Sequence, residues 1–161
     1  MANKKSIKLF SPEIFFLSMG GLGFLKPAPG TWGTLGTLPF VIAYHYFPAP
    51  VIFLLPFYLT TFIGAVFMAN FVQKKYHVED ASWIVIDEAL GFILFAPFIL
   101  SHSALHYIIA FGLFRLFDAA KIFPVNVIDQ RLKNGLGVML DDIVAGAMAI
   151  AVYRFIFLLL T

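Results

Sequence analysis

The chain has no cysteine among its 161 residues. That absence removes disulfides, thiolate nucleophiles and cysteine zinc sites together, so any metal must rest on oxygen or imidazole. Charge is scarce as well: Asp, Glu, Lys and Arg make up 12% of the chain and hydrophobic residues 61%, where an ordinary soluble domain carries about 25% charged residues. Such a chain is expected to be an integral membrane protein. Its apolar runs lack the alternation of a transmembrane barrel, which excludes that architecture. No G-x-x-x-x-G-K-[ST], H-E-x-x-H or G-x-S-x-G pattern occurs, so nucleotide hydrolysis, zincin proteolysis and serine hydrolase chemistry have no support. Lys4, Lys5 and Lys8 precede the apolar Ile14 to Leu17 in the manner of a secretory signal. Gly20, Gly21 and Gly23 break that run early and no A-x-A pattern follows, so a cleaved leader is not expected.

What is present is a series of apolar runs that predicts an all-α fold: a single-domain, polytopic membrane helical bundle. About five membrane-embedded helices are expected, plus an N-terminal interfacial or re-entrant helix within Pro12 to Leu25. The stretch K-P-A-P-G-T-W-G-T, Lys26 to Thr34, holds two prolines and two glycines. It reads as a loop with free backbone N–H groups ahead of a helix whose N-terminus can face an anion. The spans are then Leu35 to Phe47, bent near Pro39, Val51 to Gln73, Trp83 to Leu100, Ala104 to Phe117 and Leu140 to Leu160. An alternative for the third and fourth is one long helix from Leu90 to Phe117 bent at Pro97. The split at Ser101 to Ser103 is preferred because it puts Lys26, Lys74, Lys75, Lys121, Arg131 and Lys133 on one side, as positive residues favour the cytoplasmic face. In the last span Ala145, Gly146, Ala147 and Ala149 offer a small-residue surface for close packing.

Two acidic pairs interrupt this apolar text. Asp141 and Asp142 stand in G-L-G-V-M-L-D-D-I-V-A-G, and Asp87 and Glu88 near the start of the third span. A carboxylate at mid-bilayer costs roughly 2.5 to 3.5 kcal/mol, so both pairs are expected at the aqueous ends of their helices. In that topology Asp87, Glu88, Asp118, Asp141 and Asp142 share one face with Lys26, Arg115 and Lys121. Converging carboxylates repel unless a cation lies among them, and oxygen ligands alone suit Mg²⁺ or Mn²⁺. Asp87, Glu88, Asp141 and Asp142 are the candidate metal ligands, with Asp118 a further ligand or a base. Lys26, Arg115, Lys121 and the backbone of Gly30, Thr31 and Gly33 are the candidate phosphate-binding groups. The histidines do not join them: His45, His102 and His106 fall at the opposite face and His77 in a polar connector. The sum reads as metal-assisted phosphoryl chemistry at a bilayer surface. A cation transporter or channel is the competing reading, but a conduction path should carry polar residues across the bilayer, and here the far halves are mostly apolar.

Four blocks in order, G-F-L-K-P-A-P-G-T-W-G-T, I-D-E-A-L-G, F-R-L-F-D-A-A-K-I-F-P and G-L-G-V-M-L-D-D-I-V-A-G, resemble the phosphatidylglycerophosphatase A family of bacterial inner-membrane lipid phosphatases. The resemblance covers most of the chain. It implies Mg²⁺-dependent removal of the terminal phosphate from phosphatidylglycerophosphate. For that reaction Asp118, Asp141 and Asp142 are the candidate catalytic residues. Whether water or an aspartyl-phosphate carries the reaction stays open at this point. The partners implied are the phospholipid substrate and the membrane, not nucleic acid, and the active site would face the cytoplasm. Oligomeric state is left open.

Overall fold

The computed structural model describes residues 10–78 and 81–160. Lys4, Lys5 and Lys8, on which the reading of the N-terminus partly rests, lie outside the described residues. Among those described, the structure is all-helical, with seven α-helices and no strand: α1 Pro12–Leu17, α2 Pro29–Tyr46, α3 Val51–Tyr76, α4 Ile86–Ile93, α5 Ala104–Ala120, α6 Val125–Arg131 and α7 Gly135–Leu160. Two of these, α3 from Ile52 and α7 as far as Leu159, are long and apolar enough to cross a membrane. The outer face of α3 exposes Phe53, Phe57, Ile63 and Phe67, a surface that suits lipid rather than water.

The N-terminal segment does not run as one helix. It makes the six-residue α1, turns through left-handed backbone at Met19, Gly20 and Gly21, and closes with a 3₁₀ turn at Leu22–Phe24. Ile14 and Leu17 are fully buried, and the Leu17 carbonyl accepts a hydrogen bond from the Val85 N–H at 2.9 Å. Glu13 meets Lys75 at 2.5 Å, which ties α1 to the C-terminal end of α3.

Three expected boundaries are corrected. The helix expected over Trp83 to Leu100 is only the eight residues of α4, followed by a 3₁₀ turn at Ala96–Phe98 and extended backbone at Ile99. Pro97 has no N–H to bond the Ile93 carbonyl four residues back, and its ring would clash with that carbonyl in a continued helix. The expected loop Lys26 to Thr34 is already helix from Pro29, because proline is favoured at a helix's first position, where its missing N–H would have had no partner. Last, α7 starts at Gly135 rather than Leu140. Asn134 accepts the Gly137 N–H at 3.0 Å, and Asn70 of α3 accepts the Gly135 N–H at 2.9 Å, so two orphan donors of the first turn are satisfied. The break at Ser101 to Ser103 stands as expected, with Ser103 capping α5 through the Leu105 N–H.

Helix α7 is the axis of the bundle and packs against α3, α4, α5 and α6. Its closest approach is to α4. A Cβ added to Gly146 would lie 2.4 Å from the Gly91 carbonyl oxygen, and one added to Gly91 would lie 2.5 Å from that of Asp142. Only glycine at both positions lets the backbones meet, as in small-residue contacts between membrane helices. This contact fixes α4 alongside the start of α7 and so sets Asp87 and Glu88 against Asp142. Gly146→Ala and Gly91→Ala are therefore expected to destabilise by about 1–3 kcal/mol, the usual cost of overpacking. Gly64→Ala, where a Cβ meets nothing within 4 Å, should gain up to about 1 kcal/mol of helix propensity. Thermal unfolding in one detergent, followed by tryptophan fluorescence, checks both; equal melting temperatures for Gly64→Ala and Gly146→Ala would contradict the contact.

Candidate active site

A cavity of about 330 Å³ opens where the N-termini of α2, α4 and α7 meet the C-terminal end of α5 and the short α6. Asp87 and Glu88 lie in the first turn of α4, and Asp142 two turns into α7. One carboxylate oxygen from each of these three lies within 4.8 Å of the others. Asp87, Asp141 and Asp142 are each at most 7% exposed, so water reaches them only through the cavity they line. At that 4.8 Å separation each ionised pair would repel by about 3 kcal/mol at an effective dielectric of about 20. Two local bonds hold the carboxylates in place: Asp87 Oδ1 accepts its neighbour's N–H at 3.0 Å, and Asp141 Oδ1 accepts that of Asp142 at 3.1 Å.

The donor set fits a hard divalent cation. All three groups offer oxygen, and Glu88 Oε2 is buried without any hydrogen-bond partner. An orphan carboxylate oxygen in an acidic pocket is what a cation would satisfy. Asp141, expected as a fourth ligand, is turned instead toward Lys121, whose Nζ lies 3.3 Å from its Oδ2.

Two cations face the carboxylates. Arg115 Nη1 sits 2.5 Å from Asp118 Oδ2, one turn along α5, and 3.8 Å from Glu88 Oε1, and it donates to Thr34 Oγ1 at 3.4 Å. The Arg115–Asp118 contact is an ion pair whose geometry is not that of a hydrogen bond, and Asp118 Oδ2 is buried without a hydrogen-bond partner. Lys121 donates to Asp129 at 2.6 Å and to Asp141 at 3.3 Å. Burial works against the charge of Lys121, but the hydrogen bond to Asp129 and the charges of Asp141 and Asp129 outweigh it and raise its pKa above that of an ordinary lysine. The same hydrogen bond holds the Asp129 carboxyl below the usual range.

Of the residues expected from sequence, Asp87, Glu88, Asp118, Asp141, Asp142, Arg115, Lys121 and Gly30 all line this cavity. Gly30 is needed bare: a Cβ there would lie 1.9 Å from Glu88 Oε1 and 3.0 Å from Arg115 Nη1. Lys26, Thr31 and Gly33 do not line it. Lys26 is exposed, and Gly33 is a packing position whose Cβ would fall 2.7 Å from that of Val85. Thr34, Asp129 and Lys133 were not among the site residues expected from sequence. Thr34 is the partner of Arg115, while Asp129 and Lys133 line the cavity. Their only signal was a polar residue inside a block already singled out, for Thr34, or between two such blocks, for Asp129 and Lys133. The histidines stand apart, in contacts with tyrosines: His45 Nδ1 with Tyr107 at 3.1 Å and His106 Nδ1 with Tyr153 at 2.6 Å.

The profile of one protein family, phosphatidylglycerophosphatase A, matches residues 15–157. The chain belongs to that family. It is an enzyme, a phosphatase by that membership, and the acidic and basic residues that line the cavity all fall inside the matched region. A phosphatidylglycerophosphatase A from Haemophilus influenzae is 38% identical over 92% of this chain and 90% of its own length. The phosphatidylglycerophosphatase A of Escherichia coli is 29% identical over 95% of this chain and 88% of its own. A third relative, from Bacteroides thetaiotaomicron, is 35% identical over 84% of each chain and is named, provisionally, a phosphatidylinositol-3-phosphatase. No solved structure matches the chain.

The arrangement separates two roles for the aspartates of α7. Glu88→Gln and Asp142→Asn should each weaken binding of Mn²⁺, used as a paramagnetic substitute for Mg²⁺, by about tenfold or more, equivalent to about 1.4 kcal/mol. Asp141→Asn should change it by less than about threefold. Electron paramagnetic resonance titration of the free ion measures all three, and an Asp141→Asn loss matching that of Asp142→Asn would return Asp141 to the ligand set.

Proposed function

We propose that this protein removes the terminal phosphate from phosphatidylglycerophosphate, giving phosphatidylglycerol and inorganic phosphate, with Mg²⁺ as its cofactor. The observation that carries this reading is the meeting, in one cavity, of three converging carboxylates with Arg115 and Lys121. Held by Asp87, Glu88 and Asp142, the metal would supply positive charge that polarises a phosphoryl oxygen and acidifies water. Every other part falls to the chain itself. Arg115, with its planar fork of donors, can exchange the contact with Asp118 for two parallel hydrogen bonds to phosphate oxygens. Lys121 adds a point charge on the α6 side. Bare Gly30 keeps room for Glu88, Arg115 and the phosphate to converge. Asp118 is placed to take a proton from the attacking water once Arg115 turns to substrate. The water oxygen bonds to phosphorus, the bond from phosphorus to the glycerol oxygen breaks, and that oxygen takes up a proton, so one water is consumed per phosphate released.

The membrane placement belongs to the same reading. We infer a multi-pass protein of the bacterial inner membrane, its cavity at the cytoplasmic face, with the shorter α2, α4 and α5 embedded beside α3 and α7. Lys74 and Lys75 close α3 at the end where α7 begins, and Lys121, Arg131 and Lys133 surround the cavity end, in keeping with the positive-inside tendency. Because the chain has no cysteine, single probes have no background. Lys75→Cys and Lys133→Cys should stay protected from an impermeant thiol reagent in intact cells and Ser103→Cys should label; labelling at both ends would refute the orientation.

The enzymatic test is phosphate release by the detergent-purified protein. Phosphatidylglycerophosphate should be hydrolysed with Mg²⁺ and not after chelation, and phosphatidylinositol 3-phosphate should be hydrolysed at least about tenfold more slowly. Lys121→Ala should lower kcat/KM by about tenfold or more, a loss of about 1.4 kcal/mol of transition-state stabilisation, measured at a temperature where its melting curve shows the variant folded. Preference for the inositol lipid would move the substrate assignment and leave the phosphatase class intact.

A further inference from the structure

The side chain of Lys121 is shared between two helices, and nothing so far assigns a role to one of its partners. Lys121 ends α5 with left-handed backbone, φ 43° and ψ 50°, a conformation that an L residue adopts only when its surroundings hold it. Its N–H caps the helix on the Phe117 carbonyl, and its Nζ lies 2.6 Å from Asp129 of α6 and 3.3 Å from Asp141 of α7. Asp129 is not one of the three converging carboxylates, so it is not needed for a cation. Its carboxylate nevertheless lines the cavity. Helix α6, only seven residues long, packs on α7 through the buried Val125, and this packing carries Asp129 over the cavity.

We propose that Asp129 is a positioning residue: its hydrogen bond holds the ammonium of Lys121 between α6 and α7 and keeps it from closing onto Asp141. With Asp129 removed, Asp141 is the one carboxylate left within 4 Å of Nζ. The lysine and Asp141 would then pair tightly and neutralise each other. Both would be withdrawn from an incoming phosphate, since a cation already matched at short range has less to gain from a second anion. With Asp129 present, the ammonium is divided between two acceptors and keeps its third proton for a phosphate oxygen. This inference rests on the phosphatase reading for its meaning, but its test does not depend on which lipid is the substrate.

The test is a double-mutant cycle on inorganic phosphate affinity, measured by calorimetry on the full chain in detergent with saturating Mg²⁺, with KM for the lipid as a second readout. Asp129→Ala and Lys121→Ala should each weaken phosphate binding about fivefold or more. In the Lys121→Ala background, Asp129→Ala should add less than about twofold, because Asp129 acts only through the lysine. Asp129→Glu, which keeps the charge, should recover most of the affinity. Melting temperatures identify any variant that fails to fold, and where Asp129→Ala does so, Asp129→Asn takes its place in the cycle. Parental affinity in the Asp129 variant, or losses that multiply in the double variant, would overturn the proposal. Parental protein that binds phosphate but hydrolyses no phosphatidylglycerophosphate would overturn the substrate reading and leave this one standing.

Discussion

The glycine-to-glycine approach of α4 and α7 is the constraint on which the rest depends. With Gly91 and Gly146 bare, two backbones meet at a distance no side chain permits, and the second turn of a short helix is pressed against the third and fourth turns of a long one. Asp87, Glu88 and Asp142 are thereby buried together. Their repulsion would be costly in so apolar a protein, so the contact that stabilises the bundle also creates an electrostatic problem that a cation would solve. Stability and function are therefore coupled through one packing contact.

Around that contact the protein divides its charges by length of side chain. The short carboxylates of α4 and α7 stay near the axis, while Arg115 and Lys121 reach in from the end of α5. Each cation is shared: Arg115 among Asp118, Glu88 and Thr34, and Lys121 between Asp129 and Asp141. Sharing keeps the cavity ordered, and under the proposed reaction each donor group would exchange a partner for a phosphate oxygen. The far end of the bundle is built differently. There tyrosine hydroxyls meet histidine rings, Tyr153 also takes the Leu100 N–H at 3.1 Å, and aromatic packing fills the space between α2, α5 and α7. The described acids lie at or near the cavity end, which is an enzyme's asymmetry and not that of a conduction path.

Composition and block order alone settled the helical class, the phosphatase family and eight of the cavity residues. The reason is that a charge inside an apolar run is costly and so stands out, and that Gly, Pro and Ser punctuate helices by local sterics. The break at Ser101 to Ser103 and the acidic pairs were legible on those grounds. What the sequence could not show was set by contacts between segments far apart in the chain. It did not show that α4 stops after eight residues, that α7 begins five residues early under a cap from Asn70 of α3, or that Gly33 serves packing while Gly30 serves the cavity. Nor did it show that Asp142 turns toward α4 while its neighbour Asp141 turns toward Lys121. Adjacent residues on a helix point about 100° apart, so which of two aspartates faces which partner depends on the rotation of α7 about its axis. Only its packing against α3, α4, α5 and α6 decides that rotation.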